Sequence, residues 1–248
     1  MVPENVIPEK KIAEFVARAR AAAGENLQSA ILYGSVASGE FHEEFSDVNL
    51  LCVLHDTSFA SLSALAPAAE WWKKQKYPAP LVLTQGEMRR STDVFTIELL
   101  DMQRHHRVLF GDDVLEGLQI ATAQHRVQVE YELREKLIVL RQGLLLSAGD
   151  KSRMWDLLLG SLPSFATLFR HALIVLGADA PASKRAAVQA LAERIHFDPS
   201  AFLQLLDVRE RKVDRKQLDA GEIFGRYLQA VHMVTEAVDT MFESGRQA

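Results

Sequence analysis

Gly34, Ser35, Asp47 and Asn49 carry polar groups at spacings that suit the handling of phosphates. Ala30-Ile31-Leu32-Tyr33 is a short apolar run of the kind that forms a buried strand, and it stops at Gly34-Ser35, with another glycine at Gly39. A tight turn here directs backbone N–H groups and a hydroxyl outward, where they can hold phosphate oxygens. After a polar loop, Asp47 and Asn49 flank Val48 and lead into Leu50-Leu51-Cys52-Val53-Leu54. Residues two apart on a strand share a face, so this carboxylate and amide project together near the Gly-Ser turn.

Ile31 to Gly39 followed by Ser46-Asp47-Val48-Asn49 resembles the signature of the nucleotidyltransferase superfamily, the group containing polymerase β and the aminoglycoside nucleotidyltransferases. The family motif is a strand, Gly-Ser, a short helix, then Asp-x-Asp entering the next strand. Asn49 departs from it, standing where a second aspartate is usual. The resemblance implies transfer of a nucleoside monophosphate from a triphosphate to a hydroxyl, with release of pyrophosphate. Two magnesium ions bridged by three acidic residues serve that reaction, two acids on the second strand and one on a later strand. Gly34 and Ser35 would hold the β and γ phosphates, and Asp47 matches the first acid. Glu98 is the candidate for the third, because it alone interrupts Phe95-Thr96-Ile97-Glu98-Leu99-Leu100, where a charge costs free energy unless it meets water, a partner or a metal. The alternative for Glu98 is a solvated strand face; Asp93 and Asp101 are weaker candidates. Asp47, Asn49 and Glu98 are thus the expected catalytic and magnesium-binding set. An amide oxygen ligates magnesium without adding charge, so the set has lost one of its three formal charges. Glu40, Glu43 and Glu44 in the loop either lend one or are simply solvated. Two functions follow as expectations. One is transfer from a magnesium–triphosphate to a small-molecule or protein hydroxyl; the other is a catalytically impaired relative acting as a nucleotide-binding or interaction module. The general base stays open, with Glu130, Glu132 and Glu135 available.

These residues need a layered scaffold. Pro8 to Ala23 reads as a helix, with Ile12, Phe15, Val16 and Ala19 at helical spacing and Gly24 as a stop. After the two strands of the motif, Phe59 to Lys76 reads as a helix with Leu62, Leu65, Ala69 and Trp72 on one side. One of Trp71 and Trp72 is core, and the other is either packing or a base-stacking surface. Leu81 to Thr84 reads as a third strand and Val94 to Leu100 as a fourth. Strands alternating with helices predict an α/β (α+β) fold with a mixed sheet. From about residue 119 the period is helical throughout. Leu133, Leu137, Leu140 and Leu144 form one stripe, followed by helices over Ser152–Leu176 and Lys184–Ile195, another after Asp198-Pro199, and a last one opened by Asp219 and Glu222. Ile223, Tyr227, Val231, Val234, Val238 and Met241 point inward on that last helix. The expected division is an α/β domain over 1–118 and a helical bundle over 119–248, the layout of the aminoglycoside-type enzymes.

The 248 residues carry a net charge of −5, which disfavours general attraction to nucleic acid. The single cysteine, Cys52, lies in an apolar run and reads as a buried thiol in a reducing cytoplasm. The N-terminus lacks the flanks of a secretory signal, and no apolar run reaches the length of a membrane span. The histidines show no metal-ligand spacing: His105 and His106 diverge as neighbours, and His42, His55, His125, His171, His196 and His232 are scattered. The cluster Arg209, Arg211, Lys212, Arg215 and Lys216 is interleaved with Asp207, Glu210 and Asp214 and reads as a solvated connector. A homodimer is compatible with all of this.

Overall fold

The computed structural model describes residues 7–39, 47–147 and 149–246. Glu40, His42, Glu43, Glu44, Ser46 and the side chain of Met241 lie outside the described residues. The chain forms two compact units that divide between Ala121 and Thr122.

The first unit is built on α1 (Glu9–Ala23), β1 (Leu27–Tyr33), β2 (Asn49–Leu54), α2 (Phe59–Lys74), β3 (Leu81–Thr84), α3 (Gln85–Arg90), α4 (Thr96–Arg104) and β4 (His106–Gly111). Its four strands form one mixed sheet in the order β3-β2-β1-β4. β1 is antiparallel to both of its neighbours, whereas β2 and β3 run parallel. The period-2 alternation of β2 sorts its side chains between two apolar layers. Leu50, Cys52 and Leu54 pack with Ile12, Phe15 and Ala19 of α1 and Leu65, Ala68 and Trp72 of α2. Leu51 and Val53 pack with Ile31, Met88 of α3, and Leu99 and Met102 of α4. The buried side of α2 is therefore Leu65, Ala68 and Trp72, while the expected Leu62 is 43% exposed. Thr84 and Glu87 close a capping box at the start of α3, the Thr84 hydroxyl receiving the Glu87 N–H at 3.1 Å.

Residues 94–100 do not form the expected strand. They lead into α4, in which Thr96, Ile97, Leu99 and Met102 are buried. Thr96, Leu99 and Met102 recur every three residues, as one side of a helix does, so packing against the sheet overrides the β-branched, aromatic character of Phe95-Thr96-Ile97. The fourth strand is β4, and it ends at Gly111 with φ +74°, where a Cβ would meet the Gln28 carbonyl oxygen at 1.9 Å. Glycine lets the edge strand turn here against the backbone of β1.

The second unit comprises α5 (Thr122–Ser147), α6 (Lys151–Val175), α7 (Lys184–Ile195), α8 (Ser200–Arg209) and α9 (Ala220–Arg246). The Asp219 carboxylate accepts from the N–H groups of Gly221 and Glu222 at the start of α9. Tyr227 of α9 is fully buried, stacked on Phe202 at 4.4 Å and edge-on to Phe165, with its hydroxyl 3.0 Å from Ser161 Oγ. His125 and His171 are both buried, and one hydrogen bond of 2.8 Å joins His125 Nε2 to His171 Nδ1. By length and composition α6 is apolar enough to cross a membrane, contrary to the sequence reading. More than half of its apolar window, 56%, is nevertheless buried inside the protein, as the core helix of such a unit must be.

Candidate functional site

β1 delivers the Gly-Ser turn from the middle of the sheet. Gly34 to Val36 form a single 3-10 turn, closed by bonds from the N–H groups of Ala37 and Ser38 to the Gly34 carbonyl at 3.0 Å each. The N–H groups of Ser35 and Val36 are not spent inside that turn, as expected at a helical N-terminus. Val36 anchors the turn by its burial among the residues of α1 and α2. Ser35 is half-buried, and its carbonyl accepts from the Ser38 hydroxyl at 3.3 Å.

Asp47 and Asn49 lie where β2 begins, next to the end of β1, with Asn49 paired to Tyr33. Val48 is buried in the α1/α2 layer with Leu50, Cys52 and Leu54, so the alternation extends upstream of the strand and leaves Asp47 and Asn49 on the opposite face. Asp47 is exposed and Asn49 half-buried. Gly34 has φ +79°, and a Cβ there would stand 2.9 Å from Asn49 Nδ2. Only glycine leaves room for the Asn49 amide to lie against the turn, so Gly34 and Asn49 form one small cradle. The amide nitrogen faces the glycine, which turns Oδ1 away from it.

Glu98 stands apart from this geometry in kind. It lies in the first turn of α4, exposed, and not on a strand. Asp93 is exposed ahead of α4, and Asp101 is half-buried within it. The two later strands, Leu81–Thr84 and His106–Gly111, contain no carboxylate at all. Among the described residues no group of three His, Cys, Asp or Glu side chains is placed to hold a metal ion.

The register brings in a residue that sequence reasoning passed over. Tyr33 stands opposite Asn49 on one side and His106 on the other. His106 Nε2 is 2.9 Å from Asp113 Oδ2. Burial pushes the Asp113 carboxyl upward, but hydrogen bonds from His106 and the amides of Glu116 and Leu115 outweigh it and hold the group below its ordinary value. Burial raises the Tyr33 phenol. The doublet His105-His106 contains no signal of this pair, because Asp113 reaches His106 only after the chain reverses beyond β4. Burial likewise pushes the Cys52 thiol up to about 12, the mark of an inert cysteine.

Other candidates fall to packing. Trp72 is fully buried, and Trp71 packs beside it under the Arg18 guanidinium, 4.6 Å from the ring. In the second unit, Arg185 bridges Asp207 and Glu210, Lys212 also pairs with Glu210, and Arg215 reaches Asp156 of α6, so acidic partners stand beside this basic cluster. Glu130 pairs with Arg126 and Arg134, and Lys136 with Glu132 and Glu135.

Residues 10–102 match the family model described as the Nucleotidyltransferase domain. None of the curated proteins matches the sequence. Among solved structures, the chain is similar to spectinomycin adenyltransferase AAD(9) from Enterococcus faecialis with ATP and spectinomycin. That alignment covers 93% of this chain and 99% of the other, at 14% identity and a TM-score of 0.54, and so speaks to the fold. A toxin-antitoxin structure with AMP-PNP aligns over 54% of this chain and 96% of its own, at 18% identity and a TM-score of 0.31.

Proposed function

We propose that this chain, which carries a nucleotidyltransferase domain over residues 10–102, binds a nucleoside triphosphate at Gly34 and Ser35 and transfers its nucleoside monophosphate to a hydroxyl, with a degenerate metal site. The observation that carries this reading is the cradle: Asn49 lies against Gly34, with Asp47 on the same face and the N–H groups at the start of the turn beside it. The donor chemistry fits a single magnesium ion, held by the Asp47 carboxylate and the Asn49 amide oxygen, with the remaining ligands drawn from the phosphates and water. Such an ion would neutralise phosphate charge in the transition state. Among the described residues a two-ion site does not fit, since the second motif acid is an amide and neither later strand offers a carboxylate. Turnover is therefore expected to be slow. The acceptor is a small molecule or a protein, met in a reducing cytoplasm that suits a lone buried thiol.

A second reading is favoured by that same absence of strand carboxylates: a module that binds nucleotide without transfer. Calorimetric titration with ATP, with and without magnesium, combined with a pyrophosphate-release assay, separates the two. Binding with release supports transfer, and binding without release supports the module. Ser35→Ala should weaken ATP binding by about 1 kcal/mol without unfolding the protein. Asp47→Asn should abolish any magnesium dependence of binding. Asn49→Asp should enlarge the magnesium-induced thermal shift, because an ion that binds only the folded state stabilises it by mass action. If no triphosphate binds to the natural chain under either condition, the nucleotide reading is wrong.

A further inference from the structure

The end of the sheet that carries the Gly-Ser turn also carries the His106–Asp113 pair. β1 lies between β2 and β4, and its last residue faces Asn49 across one ladder and His106 across the other. Residues directly opposite in antiparallel strands project from the same face. Neighbouring strands lie about 4.8 Å apart, so Tyr33, the last residue of β1 before the turn, has Asn49 one spacing away on one side and His106 one spacing away on the other. The ring is set before any ligand arrives. Asp113 receives Nε2 on one oxygen and the N–H groups of Leu115 and Glu116, both at 3.1 Å, on the other. Gln103 of α4 donates to the carbonyls of Leu115 and Leu118, tying that segment to the helix.

With Nε2 engaged by a carboxylate, Nδ1 is the remaining polar atom of the imidazole, and it donates only when the ring is protonated. We infer that His106, held by Asp113, is a phosphate-binding residue of the nucleotide site. As an imidazolium it donates from Nδ1 to the terminal phosphates and supplies positive charge where the strands offer no carboxylates for a second metal ion. The inference rests on the triphosphate reading of the Gly34–Ser35 turn. Tyr33 on β1, Asp47 ahead of β2, Glu98, Asp101 and Arg104 on α4, and Asp112 and Asp113 beyond β4 are among the titratable or charged groups on the bordering elements. Arg107 is turned to Glu9 of α1, at 2.7 Å. His105 is the second imidazole at this end of the sheet and serves as the control. Binding to a neutral ring takes up one proton, so affinity should rise as pH falls from 8 towards 6.

The test is calorimetry on the full chain with inorganic tripolyphosphate and with ATP, in chelator, between pH 6 and 8 and in two buffers of different ionisation heat. The His106→Gln variant should bind both ligands at least tenfold more weakly at pH 6.5 and lose the proton uptake, while His105→Gln keeps both. His106→Lys, which restores a cation, should recover most of the affinity; melting curves establish that each variant is folded. Unchanged affinity and proton uptake in His106→Gln would overturn the inference and leave the nucleotide site standing. Equal losses in His106→Lys and His106→Gln would also overturn it, since a packing role alone would then explain both. Failure of every protein, including the natural one, to bind ATP with or without magnesium would sink the inference and the nucleotide reading together.

Discussion

Replacing Gly34 with alanine probes the cradle from the backbone side. At φ +79° an L side chain costs about 1–2 kcal/mol. The new methyl group would also stand 2.9 Å from Asn49 Nδ2, too close for the amide to stay where it is. That amide ends a short rotatable side chain, so it can turn aside, at about 0.5–1.5 kcal/mol if it is driven off its rotamer. The two effects together come to roughly 1.5–3.5 kcal/mol, or on the order of 6–14 °C in the melting temperature of a unit this size. The three tryptophans allow the first unit to be followed separately, since Trp71 and Trp72 belong to it and Trp155 to the second. Urea unfolding read by fluorescence in a Trp155→Phe background therefore measures the right transition. Asn49→Ala removes the close contact but not the backbone strain, so in that background Gly34→Ala should cost about 0.5–1.5 kcal/mol less. An alanine variant as stable as its parent would refute the assigned backbone conformation. A penalty that is the same with and without the Asn49 side chain would refute the contact.

Arg107→Gln should return the Glu9 carboxyl to its ordinary range, because the hydrogen bond from Arg107 is the chief cause of its lowered value. A lowered folded value means that the pair stabilises above about 4.5 and loses that contribution as pH falls through the folded value, so variant and parent should differ in stability at neutral pH and converge in acid. Tyr227→Ala should destabilise the second unit by about 3–5 kcal/mol, measured by the Trp155 signal, since it empties a fully buried aromatic position against Phe202 and Phe165. The Cys52 thiol, raised by burial, should resist a disulfide reagent at pH 8 in the folded protein and react only on unfolding; reaction in the native state would contradict its placement in the sheet.

The apolar run of β1, the Gly-Ser break and the polar–apolar alternation into β2 were legible in the sequence because each is a local pattern, set by chain geometry over a few residues. So were the helices of the second unit, whose 3.6-residue period over Leu133, Leu137 and Leu140 matches the buried stripe of α5. The segment around Glu98 was not legible. Phe95-Thr96-Ile97 has strand-forming residues, and a run of seven cannot by itself reveal whether a sheet edge or a sheet face awaits it. The face awaited it, Leu99 and Met102 were buried there, and the segment became a helix. Register was equally hidden, because pairing is a relation between residues far apart in the chain. Position 33 could be seen to end a strand, but only the sheet order set Asn49 and His106 on either side of it. The sequence by itself determined which residue types stand at the turn and at the start of β2, and hence that one motif acid is an amide. Tertiary structure alone decided that this amide lies against Gly34, that neither later strand among the described residues replaces the missing charge, and that a histidine fastened by Asp113 stands across the sheet from it.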